Sequence, residues 1–194
     1  MEWVFATGNP GKRREMESLL APLGVRLRLP AEFGVVFAPD ETGATFAANA
    51  RLKAEAALAF TDLPALADDS GLEVAALGGA PGVLSARYGG AGLSAADRNE
   101  RLLAALMGCT DRAARFVCAL ICLFPDGRAF TAEGVCEGEI VRAPCGAGGF
   151  GYDPLFYLTK YGKTMAELPD GEKNKISHRG RAVRALLRQW TPAP

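Results

Sequence analysis

Residues 114–124 read ARFVCALICLF, a stretch in which Arg115 is the single charged side chain and no polar and apolar alternation is visible. A strand that is apolar on both faces has to be covered on both faces, which makes it a central strand between two layers of helix. That requirement excludes an open, one-sided sheet. The turn PDGR (125–128) follows, and then AFTAEGVCEGEIV (129–141) alternates in the manner of a more exposed hairpin partner. Two further strands are predicted at WVFAT (3–7) and PALADD (64–69). The helices needed to cover the sheet are legible as well. Residues 12–21 place Met16, Leu19, Leu20 and Leu23 at helical spacing. Residues 45–60 place Phe46, Ala50, Ala54, Ala57 and Leu58 on one face, with Asn49 and Lys53 stacked beside it at i, i+4. Ser94 fits an N-cap with Asp97 at N3, opening a helix that turns Leu102, Leu103 and Leu106 inward. Ser177 caps a last helix through Trp190, with Val183, Leu186, Leu187 and Trp190 on its buried face. The expected fold class is α/β, a mixed sheet with flanking helices, in one domain over residues 1–194.

Composition narrows the function classes. Lys plus Arg and Asp plus Glu are both 22, so no global basic field favours nucleic acid or an anionic membrane. No run of roughly 18 apolar residues spans a bilayer, and MEWVFATGNP lacks a basic leader, so a cytoplasmic protein without membrane partners is expected. Five cysteines (Cys109, Cys118, Cys122, Cys136 and Cys145) without a CxxC pair fit free thiols. With His178 as the one histidine, a structural zinc site is not expected, and a metal would be a hard cation held by carboxylates, such as Mg²⁺.

Several short segments carry possible chemistry, and each has a plain alternative. TGNPGK (7–12) joins a strand to a helix through a glycine loop with Lys12 in the first turn, which suits an anion cradle as well as an ordinary tight turn. It is not a P-loop, because the spacing is short and no Ser or Thr follows the lysine. Asn49 and Lys53 fit a solvated helix edge as well as a site. Asp40 and Glu41 in APDETG precede a helix, where acidic residues are often dipole partners only. In DDSG (68–71) a strand is expected to end on two carboxylates at the rim of a sheet, where α/β proteins place ligands, and alternation would send Asp68 and Asp69 to opposite faces. Two adjacent carboxylates also call for a positive partner. GGFGYDP (148–154) offers Phe150 and Tyr152 for stacking on a base and Asp153 as acceptor. EKNKISHRGRA (172–182) gathers Lys173, Lys175, His178 and Arg179 around a helix start.

Taken together and in order, FATGNPGK, FAANARLKA, ADDSGLEVAALGGAPGVLSARYGG, GGFGYDPLF and EKNKISHRGRA resemble the inosine triphosphate pyrophosphatase family, over residues 4–188. The resemblance implies an elongated α/β sheet with two lobes around a central cleft, a homodimer, and Mg²⁺-dependent hydrolysis of ITP, dITP or XTP to the monophosphate and pyrophosphate. By the same resemblance Thr7, Gly8, Asn9, Pro10, Gly11 and Lys12 form the phosphate loop. Asp69 is general base and metal ligand, and Ser70 is a substrate contact. Phe150, Gly151, Tyr152 and Asp153 form the base-binding loop, with Lys173, His178 and Arg179 as further nucleotide contacts. Lys53 joins Lys12 and Lys173 near the phosphates. Asp68 is a supporting or second metal contact, and either Asp40 or Glu41 supplies another; the positive partner of the aspartates is then Mg²⁺. Donors such as Arg179 would read the 6-oxo group that adenine lacks. Two rivals stand beside this reading: a pyrophosphatase for modified pyrimidine nucleotides, and a nucleotide-binding module without turnover.

Overall fold

The computed structural model describes residues 1–190. Seven strands, β1 (Glu2–Phe5), β2 (Arg26–Arg28), β3 (Ala65–Val74), β4 (Ala113–Leu123), β5 (Ala129–Ile140), β6 (Phe156–Leu158) and β7 (Lys163–Thr164), form one sheet in the order β2-β1-β3-β4-β5-β6-β7. β1 runs parallel to β2 and β3, while β5–β6 and β6–β7 are antiparallel, so the sheet is mixed as expected. Among the described residues five α-helices accompany it: α1 (Pro10–Leu20), α2 (Phe46–Leu58), α3 (Ala95–Ala105), α4 (Asp170–Ile176) and α5 (His178–Gln189).

The helix starts are local chemistry. Asn9 caps α1, its Oδ1 accepting from the amides of Gly11 at 2.8 Å and Lys12 at 3.1 Å, and Pro10 presets the first helical φ. Thr45 caps α2 through the Ala48 amide. Ser94 and Asp97 cap α3 reciprocally.

The chain divides into two compact units, and β3, β4 and β5 contribute residues to both. The first unit holds residues 1–69, 118–134 and the chain from His178 on. Its core gathers Trp3, Phe5, Met16, Leu20, Leu66, Leu120, Leu186 and Trp190, with the Trp3 and Trp190 rings edge to face at 5.2 Å. The second unit holds residues 70–117 and 135–177, with a core of Leu72, Leu102, Leu106, Phe116, Ile140, Leu155 and Phe156.

Three sequence expectations change. β3 does not stop at DDSG. Leu72 and Val74 are fully buried in the second unit's core, and Gly71 is not among the glycines with positive φ, so the strand continues and both aspartates lie inside it. Leu23 is exposed, because α1 ends at Leu20 and Gly24 turns the chain in the left-handed region. Asn49 and Lys53 are buried rather than a solvated edge. The short β2, β7 and α4 had no periodicity long enough to be read.

Within the first unit the start of α5 presses on β5 at Gly134. A Cβ there would run into the His178 carbonyl oxygen and the Ala182 amide nitrogen and lie 3.0 Å from the Arg181 Cβ. Gly134→Ala is therefore expected to destabilise the protein by about 1–3 kcal/mol, seen as a lower urea midpoint at unchanged m-value.

Candidate active site

β3 passes beneath three helices of the first unit, and strand alternation divides its two aspartates between them. Asp68 meets α1 and α5. Lys12 Nζ lies 3.3 Å from its Oδ1, and Arg179 donates to its Oδ2 from Nε at 3.1 Å and Nη2 at 2.8 Å. Arg179 Nη1 also donates to Glu15 of α1, and the buried Cys118 thiol of β4 lies 3.9 Å from Asp68 Oδ2. The Asp68 side chain is 0% exposed and that of Arg179 1%. Burial alone would raise the Asp68 carboxyl, but Lys12 and Arg179 overcome it and hold the group well below the usual carboxylate range. Burial opposes the Arg179 charge, and Asp68 and Glu15 more than restore it. The Cys118 thiol is pushed up to about 12 by burial and then by the Asp68 charge, so it stays protonated and inert.

Asp69 meets α2. Lys53 Nζ donates to its Oδ1 at 2.9 Å, and Asn49 Nδ2 to its Oδ2 at 3.3 Å. The same Lys53 Nζ lies 2.7 Å from Glu41 Oε1. Burial, with a smaller push from Glu41, raises the Asp69 carboxyl against the pull of Lys53 and Lys12. Lys53 is raised too: burial works against its charge, but Asp68 and Asp69 outweigh it, so the proton stays on the amine.

Asn49 ties the segment before α2 to this centre. Its Oδ1 accepts from the Gly43 amide at 2.7 Å, and a Cβ on Gly43 would come within 2.7 Å of Ala48 Cβ and Asn49 Oδ1. Glycine is required there by the close approach, and the approach brings Glu41 to Lys53. Asp40 is exposed. Of the two acidic candidates, Glu41 is the one that pairs with Lys53.

In the loop 7–12 the Gly11 and Lys12 amides are bonded to Asn9, and Thr7 Oγ1 accepts from the Asn9 amide at 3.1 Å, while the Lys12 side chain is 14% exposed. Arg179, expected to read a base, is instead buried against Asp68 and Glu15. Asp68, expected as a further metal contact, is fully buried, with Arg179 donating to its Oδ2 and Lys12 Nζ 3.3 Å from its Oδ1. His178 is buried at the first position of α5.

The base-loop residues and Lys173 belong to the second unit, of which Ser70, half-buried in β3, is the first residue. Asp153 forms a buried ion pair with Lys173 and accepts from the Phe150 amide at 2.7 Å. Lys173 Nζ sits 5.0 Å from the Phe150 ring centroid. Gly149, at φ +68°, lies against this pair, and a Cβ there would clash with the Asp153 carboxylate. Gly151 accepts from Asn99 through its carbonyl at 3.2 Å. Tyr152 is buried, its hydroxyl donates to the Ser85 carbonyl at 2.9 Å, and burial pushes the phenol up to about 12. Tyr152 is thus a core residue, and Phe150 is the half-buried aromatic of the expected pair.

Glu15 was missed by sequence reading. Its position three residues after Lys12, on the same face of α1, was the available signal.

Asp69 and Glu41 bring two hard oxygens to one cationic nitrogen, the donor chemistry that Mg²⁺ takes. Among the described residues no group of three His, Cys, Asp or Glu could hold a metal. Two carboxylates still fit, since Mg²⁺ is commonly held by one or two carboxylates with waters and substrate phosphates completing its shell.

The model of the Ham1 family matches residues 3–189. A dITP/XTP pyrophosphatase of Thermus thermophilus is 54% identical over 196 residues, covering 100% of this chain and 94% of the relative. One of Treponema denticola is 47% identical, covering 97% of each. Among solved structures, a HAM1 protein from Coxiella burnetii superposes with a TM-score of 0.89 at 45% identity, covering 100% of both chains. The Ham1 protein of Staphylococcus aureus gives 0.87 at 41% identity and 97% coverage of both.

The two aspartates are expected to differ sharply in stability measurements. Asp68→Ala leaves the buried Arg179 guanidinium with Glu15 alone and should cost about 3–5 kcal/mol. Asp69→Asn leaves Lys53 paired with Glu41 and should cost less than about 1.5 kcal/mol. Urea denaturation of both variants checks the contrast.

Proposed function

The chain belongs to the Ham1 family, and on that premise we propose that it is a nucleoside triphosphate pyrophosphatase that removes dITP, ITP and XTP from the nucleotide pool. The observation that carries the proposal is the Asp69, Lys53 and Glu41 cluster in the first unit, with Lys12 paired to the adjoining Asp68. It combines an acceptor for a proton with cations for a polyanion.

In the proposed reaction water adds to the α-phosphorus, the bond from that phosphorus to the bridging oxygen breaks, and its electron pair leaves with pyrophosphate. Asp69 takes the proton of the attacking water. Its surroundings suit a general base, because burial makes the carboxyl more basic than a solvated aspartate while the Asn49 and Lys53 contacts orient it. Asp69 and Glu41 would hold Mg²⁺, which neutralises charge on the phosphate oxygens when bound. Lys12 and Lys53 supply fixed ammonium groups for the leaving pyrophosphate. Thr7, Gly8 and Asn9 keep the loop before α1 short, so that Lys12 emerges in the helix's first turn. Arg179 acts through Asp68 rather than on the base. Phe150, Gly151, Tyr152 and Asp153 are the proposed base-recognition segment, with Phe150 supplying the stacking face and the Asp153–Lys173 pair fixing its backbone. The family resemblance also supports a homodimer, which sedimentation would reveal as twice the chain mass.

A pyrophosphate-release assay over dITP, XTP, GTP, dUTP and 5-methyl-UTP, with and without Mg²⁺, tests the reading. Turnover is expected for dITP and XTP, at a kcat/KM well above that for GTP and the pyrimidines, and only with the metal. Preference for a modified pyrimidine, or binding without release, would move the assignment to another substrate or to a non-catalytic module. Asp69→Asn should lower kcat by about a hundredfold or more. Lys12→Ala should act mainly on KM, as loss of a phosphate contact made in the ground state as well as the transition state.

A further inference from the structure

The Lys53 ammonium lies between two carboxylates. It donates to Asp69 Oδ1 at 2.9 Å and lies 2.7 Å from Glu41 Oε1, so it bridges the two carboxylates that the proposed function assigns to Mg²⁺. The side chains of Lys53 and Asp69 are each 9% exposed and that of Glu41 27%, so solvent offers these carboxylates little alternative neutralisation. We propose that Lys53 is a placeholder cation, holding Asp69 and Glu41 in position in the free protein and yielding them to the metal only when a phosphate chain arrives to take the ammonium.

Charge balance dictates this order. Two partly buried carboxylates repel each other and cost free energy unless a cation lies between them, and Lys53 supplies one without any ligand. A divalent ion entering alone must displace the ammonium, which then keeps only the longer-range attraction of Asp68. Asp68, the other carboxylate near at hand, is already held by Lys12 and Arg179. A phosphate chain changes this balance by offering its own oxygens to Lys53. Metal and nucleotide therefore bind with positive coupling, and by reciprocity each raises the affinity for the other by the same factor. Asn49 keeps the arrangement poised, because it bonds to Asp69 on one side and to the Gly43 amide of the Glu41 segment on the other.

The inference rests on the pyrophosphatase reading, and the test separates the two. Mn²⁺ is titrated into the nucleotide-free protein and free ion is read by electron paramagnetic resonance. Lys53→Met is expected to bind Mn²⁺ at least tenfold more tightly than wild type, Lys53→Arg to behave as wild type, and the double variant Lys53→Met, Glu41→Gln to lose the gain. A gain below tenfold in Lys53→Met overturns the proposal, as does a gain that survives loss of Glu41. Should Lys53→Met not fold, ¹⁵N NMR of the Lys53 ammonium in wild type decides. The resonance is expected to stay in place with Mg²⁺ alone and to move with Mg²⁺ plus pyrophosphate, and displacement by Mg²⁺ alone overturns the proposal. If wild type releases pyrophosphate from dITP while Mg²⁺ alone displaces Lys53, the placeholder falls and the function stands; if nothing is released, the function itself falls.

Discussion

A carboxylate with no exposed surface in the middle of a strand sets the terms for the first unit. Asp68 cannot be hydrated, so its charge has to be met by the protein, and the partners come from α1 and α5, more than a hundred residues apart in the chain. The ion pair therefore fastens two helices to one strand at a defined register. Desolvating such a pair is expensive, and it persists because it is over-determined: Lys12 and Arg179 bind the carboxylate, Glu15 takes another nitrogen of the guanidinium, and the Cys118 thiol lies beside the acceptor.

One residue further along β3 the same chemistry has the opposite consequence. Asp69 faces α2, where one ammonium is shared between two carboxylates and an amide holds the second aspartate oxygen. Strand alternation thus separates a carboxylate that fastens α1 and α5 from one that shares its cation with Glu41. The second unit repeats the device of a fixed pair in its glycine-rich segment 146–151. That segment is tied down where Asp153 accepts from Phe150 and pairs with Lys173, and Gly149 leaves space for the pair.

How much of this was legible follows from range. The apolar run at β4, the cap Ser94 and the buried face of α5 all depend on contacts within a few residues, and each appears in the fold close to its sequence position. β2 and β7 are three and two residues long, too short for any periodicity to declare itself. The extent of β3 was misread because Ser-Gly is a local turn signal, whereas Leu72 and Val74 continue the strand by packing into a core assembled from distant segments. Among site residues, Asp69, Lys53 and Glu41 could be proposed from motif and chemistry, but the preference for Glu41 over Asp40 came from the Gly43 approach to Asn49, which no local pattern encodes.

By itself the sequence determined the class of architecture and the supply of chemistry. A strand apolar on both faces demands helices on both sides, and the order of the glycine, aspartate and basic motifs identifies the family. The tertiary structure decided the division of labour among those residues. Arg179 is a partner of Asp68, Tyr152 is core with its hydroxyl on Ser85, and Lys53 links Asp69 to Glu41. The reason is physical: the role of a charged or aromatic side chain depends on what surrounds it, and burial and partners are set by elements that meet only when the chain has folded.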